Sequence, residues 1–177
     1  MKRRTVRLVR VFRSALGPGR GHLLAAGLVL PCALGSRGIV RAKREGDGGT
    51  PAGRHRVLAA LYRPDRIGRP RTGLPLHRIR PDSGWCDDPA DRRYNRPLRL
   101  PAAARHERMW RDDALYDLVL DLAWNRGPVR RGRGSAIFLH SARPGFGPTE
   151  GCVAVDRRAV ARLVERIGPD TRIEVIG

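Results

Sequence analysis

The chain has 177 residues, enough for one domain with a substantial core and short for two. Its apolar fraction of 41% excludes a collagen-like or wholly disordered chain. No apolar run reaches the roughly 18–20 residues needed to cross a bilayer as a helix. Lys and Arg number 36 against 17 Asp and Glu, a formal charge of +19, and residues 1–44 carry bases but no acid. Such an excess suits adhesion to a polyanion (nucleic acid, anionic lipid or an anionic cell wall), and it also fits a chain-wide bias toward Arg. No aromatic platform or recognition-helix pattern accompanies it, so the charge specifies no nucleic acid. Three cysteines, Cys32, Cys86 and Cys152, are too few for a disulfide scaffold. Their spacing makes no metal site, and neither a metal nor a cofactor is expected. Cys32 and Cys86 could pair in an oxidising compartment, leaving Cys152 free.

In chain order, residues 1–20 read as a basic and flexible N-terminal segment ending in a Gly-Pro-Gly turn, with the folded domain expected over 21–177. The apolar stretch Leu23–Leu34 has the length of a signal-peptide core, but the sequence favours one or two strands of the fold. Residues 43–53 are dense in turn formers, and a strand follows over Val57–Tyr62. Residues 64–101, rich in Arg, Pro and Asp, read as a long irregular segment of the kind that often forms binding loops. Tyr116–Trp124 alternates apolar and mixed positions and predicts a half-buried strand. A short central strand is expected over Ile137–His140. Asp156 is placed to cap a helix whose buried stripe is Ala159, Val160, Leu163, Val164 and Ile167, and a final strand follows at Thr171–Ile176. The sum is mainly β with one C-terminal helix and no internal repeat.

Chemistry concentrates between Ala136 and Val155. His140 ends one strand and Cys152 begins another, with a Gly- and Pro-rich loop between them. An imidazole that takes a thiol proton, and a thiolate that attacks a carbonyl, are the parts of covalent acyl transfer. A neighbouring imidazolium would lower the thiol pKa from its usual value near 8.5. The amides of Gly151 and Cys152 are candidate oxyanion donors, and Ser141 is placed to orient the imidazole. Thr149 is a candidate substrate contact. Trp85 and Tyr94 could line a binding groove, and Asp87 and Asp88 could meet a substrate ammonium. The remaining histidines, His22, His55, His77 and His106, read as surface residues.

Leu139-His140-Ser141 followed by Thr149-Glu150-Gly151-Cys152-Val153 resembles the signature of the L,D-transpeptidase catalytic domain, the YkuD family. Thr50-Pro51-Ala52-Gly53 is similar to the T-P-x-G turn near the start of that domain, and Asn125 closes a strand as an Asn often does there. KREGDGGTPAG, with GWCDDP over 84–89 and Tyr94-Asn95, resembles a compact bacterial branch. The resemblance implies a sandwich- or barrel-like β domain and an enzyme of the cell envelope or periplasm acting on peptidoglycan stem peptides as donor and acceptor. In it Cys152 is the nucleophile, His140 the base, and Gly151 and Cys152 the oxyanion donors; Asn125, Thr149, Trp85 and Tyr94 are the candidate substrate contacts. Two positions depart from the pattern: Glu150 stands where His is usual, and Ala154 where Arg or Asn is frequent. They leave open transpeptidation, D-amino-acid exchange or hydrolysis by a thiol carboxypeptidase or amidase. A non-catalytic basic protein that binds wall or nucleic acid is the reading from another class.

Overall fold

Alternating apolar residues build the wall of the fold, described for residues 5–177 by a computed structural model. In chain order the strands are β1 (Leu8–Arg13), β2 (Arg20–Ala25), β3 (Leu28–Ala33), β4 (Ile39–Val40), β5 (Thr50–Pro51), β6 (Gly53–Tyr62) and β7 (Leu76–Arg78). They continue with β8 (Ser83–Cys86), β9 (Pro97–Arg99), β10 (His106–Arg108), β11 (Leu118–Leu122), β12 (Phe138–Ser141), β13 (Val153–Val155) and β14 (Arg172–Ile176). The one α-helix, α1, spans Arg157–Val164, and a 3-10 turn covers Ala114–Tyr116.

The main sheet runs β11-β12-β13-β3-β2-β1-β14-β6, and β6 also pairs with β11. The ring therefore closes into a barrel, with β7 added beside β6. Closure removes the open edges that would template aggregation. Inward positions such as Val9, Val11, Leu23, Leu120, Leu139, Val153 and Ile173 form the core. The stripe of α1, with Ile167 beyond its end, packs into the same cluster. The Asp156 carboxylate accepts from the Arg158 N–H at 2.9 Å, which fixes where α1 starts.

A second cluster lies outside the barrel on β11–β13, where Val119, Ala136, Phe138 and Cys152 meet Trp85, Met109, Leu115 and Tyr116. Several of those partners belong to a small sheet, ordered β10-β8-β9, and to the segment that follows it. The apolar outer face of β11–β13 explains this second layer: it has its own cover to bury against.

Four expectations are corrected. The N-terminal segment 1–20 does not stand apart from the domain, because β1 is a barrel strand paired with β14 on one side and β2 on the other; residues 1–4 lie outside the described residues. β11 is buried at all five positions, both its faces being covered, and Tyr116 belongs to the 3-10 turn before it. Segment 64–101 contains three short strands, two of which belong to the covering sheet. His55 is buried, its Nε2 3.2 Å from the Pro51 carbonyl and its ring edge-on to Trp124.

Candidate active site

β12 and β13 run parallel, with Leu139 opposite Val153 and His140 opposite Ala154. Period-two alternation then sends Leu139 and Val153 into the core and leaves His140, Phe138 and Cys152 on the outer face. His140 and Cys152 both line one cavity of about 500 Å³. The cavity lies between the barrel wall and the covering layer, and its walls include Tyr116, Glu107, Thr149 and Ala154.

The thiol is held at two points. The Phe138 N–H donates to Cys152 Sγ at 3.4 Å, and the S–H donates to the Ala136 carbonyl at 3.2 Å. Burial pushes the thiol up to about 12, and the Glu107 carboxylate in the same cavity adds to the rise. Burial likewise drives His140 down to about 4, opposed by its hydrogen bond to the Ser141 carbonyl. Both groups are therefore neutral at pH 7, so the expected imidazolium–thiolate pair is absent at rest.

Neutral imidazole has one N–H. His140 Nδ1 lies 2.8 Å from the Ser141 carbonyl oxygen, which can only accept, so Nδ1 carries the proton and Nε2 keeps its lone pair. The Tyr116 ring stands edge-on to the imidazole, centroids 5.0 Å apart, and its hydroxyl donates to Glu107. Ser141 thus meets the imidazole through its backbone. Its own side chain points the other way, where Oγ is buried without a partner among the described residues.

Thr149 and Gly151 shape the turn before Cys152. The Gly151 N–H donates to Thr149 Oγ1 at 3.1 Å, and that hydroxyl donates to the Cys152 carbonyl at 2.6 Å. The Gly151 amide is engaged there and is not free as an oxyanion donor, a correction to its expected role. Gly151 has φ +137, and a Cβ at this position would lie 2.7 Å from the Gly49 carbonyl oxygen. Only glycine suits that conformation and that approach.

Three expected substrate contacts lie elsewhere. Trp85 is 2% exposed, edge-on to Phe138, with its indole N–H donating to Asn95 Oδ1 at 3.2 Å. Tyr94 is equally buried, its hydroxyl donating to Glu45. Asn125 holds its own loop: its Nδ2 donates to the carbonyls of Arg130 and Gly134, and its Oδ1 accepts from the Arg130 N–H. Aromatic and amide side chains in a polar segment satisfy packing as readily as binding, and here the covering layer takes them.

Sequence reasoning missed several wall residues. Lys43 and Glu45 line the cavity from the glycine-rich segment 43–49. The Asp47 carboxylate ties that segment together by accepting from Lys43 Nζ and from the N–H groups of Arg44 and Gly49. Glu107 and Arg111 enter from β10 and the segment after it, and Arg143 from the loop after β12. Of the two aspartates singled out from sequence, Asp87 lines the wall while accepting from Arg105 Nε at 3.0 Å, and Asp88 does not line it. The charged pair in Lys43-Arg44-Glu45, shortly before Thr50-Pro51, was the available signal. Cys86 and Cys32 are buried with free thiols outside this cavity. Among the described residues no group of three His, Cys, Asp or Glu side chains is placed to hold a metal ion.

Compared with known protein families, residues 20–175 match YkuD, described as the L,D-transpeptidase catalytic domain. The chain belongs to the L,D-transpeptidase family. Its mainly β barrel with one helix is the fold class expected for a member. Among solved structures it is similar to L,D-transpeptidase 1 of Mycobacterium tuberculosis, at 13% identity and a TM-score of 0.40. That similarity covers 96% of this chain and 62% of the mycobacterial one. No curated protein matches.

Proposed function

We propose that this chain is a cysteine L,D-transpeptidase acting on peptidoglycan stem peptides in the cell envelope. The observation that carries the reading is one cavity holding the buried Cys152 thiol and an imidazole whose Nδ1–H is fixed on the Ser141 carbonyl. In the acylation step His140 Nε2 takes the thiol proton as Cys152 Sγ bonds to the carbonyl carbon preceding the terminal D-residue. The tetrahedral oxyanion collapses, the C–N bond breaks, and the imidazolium returns its proton to the departing amine. An amine of a second stem then attacks the thioester and releases the thiol. With the Gly151 amide engaged by Thr149, the Cys152 amide is the remaining oxyanion donor of the expected pair.

Wall chemistry supports a zwitterionic peptide. Glu45, Asp87, Glu107 and Glu150 line the cavity together with Lys43, Arg105, Arg111 and Arg143. An otherwise basic chain has gathered here a balanced set, suited to a side chain that carries both an ammonium and a carboxylate. The test is intact-mass spectrometry after incubation with a tetrapeptide stem, with and without an amine acceptor. A thioester adduct lost in Cys152→Ala, and resolved by the amine into a cross-linked product, supports transfer. Release to the free acid alone would assign hydrolysis instead, and no adduct with either a stem peptide or a carbapenem would overturn the reading.

A further inference from the structure

The outer wall of the barrel opposite in character to the site is formed by β3, β2, β1, β14 and β6, and no second layer covers it among the described residues. Strand registers define what it displays. One row across it is Val29, Leu24, Arg10, Glu174 and Arg54. The next is Pro31, His22, Phe12 and Ile176, and a third is Leu8, Arg172 and Arg56. A solvated sheet face normally alternates with polar side chains outward. This one presents Val29 at 58% exposure and Ile176 at 46%, with Phe12, Leu24 and Leu8 half-buried beside them. Leu28, also 58% exposed, stands at the tip of the β2–β3 hairpin.

Charge on the same face is one-sided. Arg10, Arg54, Arg56 and Arg172 stand against one carboxylate, Glu174, which accepts from Arg10 Nε at 3.3 Å and lies 3.6 Å from Arg54 Nε. Arg20, exposed at the start of β2, has the same outward parity. Such a face suits an anionic surface.

We propose that this wall is a docking surface for an anionic lipid bilayer. The Arg side chains meet headgroup phosphates, while Val29, Phe12, Ile176 and the hairpin tip at Leu28 enter the interfacial region. Two physical arguments select this occupant. A dissolved polyanion neutralises the arginines but offers no apolar phase to the exposed Val, Leu and Ile side chains, whereas a bilayer does both. A second copy of the chain would set like charges face to face, which opposes pairing through this wall. Binding here leaves the cavity on β12 and β13, across the barrel, clear of the lipid.

The test is sedimentation of the full chain with vesicles of equal phosphatidylglycerol and phosphatidylcholine, and with phosphatidylcholine alone, at physiological ionic strength. The expected result is binding to the anionic vesicles only, weakened at least tenfold in Arg54→Glu/Arg56→Glu and, separately, in Leu28→Ser/Val29→Ser. Far-UV circular dichroism and thermal melting check that both variants fold, and their exposed positions make folding the expectation. Absence of binding to the anionic vesicles overturns the proposal. So does binding that the Leu28→Ser/Val29→Ser variant retains in full while soluble polyphosphate competes it away, which would assign a purely electrostatic polyanion site. These outcomes do not depend on the transpeptidase reading, because no catalytic group is involved.

Discussion

The barrel has two outer walls with the same alternation and opposite fates. On β11–β13 the outward residues are Val119, Phe138, His140 and Cys152, and a second layer buries them. On β1, β2, β14 and β6 the outward residues include Leu8, Phe12, Leu24 and five arginines, and no second layer buries them among the described residues. Burial removes water from around the thiol and the imidazole, which favours the neutral form of both. On the open wall the arginines stay in contact with water.

The sharpest break of the covered wall is at its centre. Phe138 is fully buried and touches both Trp85 and Tyr116 edge-on. Phe138→Ala is expected to cost about 3–5 kcal/mol by denaturant unfolding. Phe12, half-buried and stacked on His22 on the open wall, is expected to cost about 1 kcal/mol when changed to Ala. Equal losses at the two positions would erase the distinction between the walls.

Protonation tests the same contrast. The imidazole of His140 is lowered to about 4 in the folded protein from an ordinary 6.5. The unfolded chain therefore binds the proton first as pH falls. The stability linked to the neutral imidazole is complete above pH 6.5 and lost as pH falls toward 4. The loss is about 3 kcal/mol. Unfolding free energies measured at pH 7 and pH 4 should differ by that much more in the wild type than in His140→Gln. An equal pH dependence in the two proteins would mean that His140 is solvated.

Gly151→Ala is expected to destabilise the protein by about 1–3 kcal/mol, since it forces a Cβ against the Gly49 carbonyl at a positive φ. It should also slow Cys152 acylation, because the displaced turn carries Cys152. Thermal melting and adduct formation rates report the two effects separately. Next in size, Glu107→Gln removes a carboxylate that raises the Cys152 thiol. Iodoacetamide should then alkylate Cys152 a few-fold faster at pH 8, while a rate unchanged from wild type would place the charge too far away to act. The smallest effect is expected at Arg54, whose side chain is 58% exposed beside Glu174. Arg54→Gln should change unfolding free energy by less than about 0.5 kcal/mol, because an exposed pair is screened by water and salt.

By itself the sequence determined the features that rest on local pattern. Asp156 and the apolar stripe after it specified α1, and the alternation around Leu139 and Val153 specified strands with His140 and Cys152 at their ends. The spacing of His140, Gly151 and Cys152 likewise pointed to one site, because a short loop between neighbouring strands leaves few other arrangements. Tertiary structure alone decided matters that depend on partners distant in the chain. Leu8–Arg13 looks like a basic tail until β14, more than 150 residues later, pairs with it. Trp85 and Tyr94 look like binding aromatics until the covering layer is seen to need them as its core. Lys43, the Glu107 and Arg111 pair, and Arg143 reach the cavity from stretches far apart in the chain, so no local window of sequence could group all of them. The charge state of the site was decided at the same level: a thiol and an imidazole are shifted by the water they lose, and burial is a property of the assembled walls.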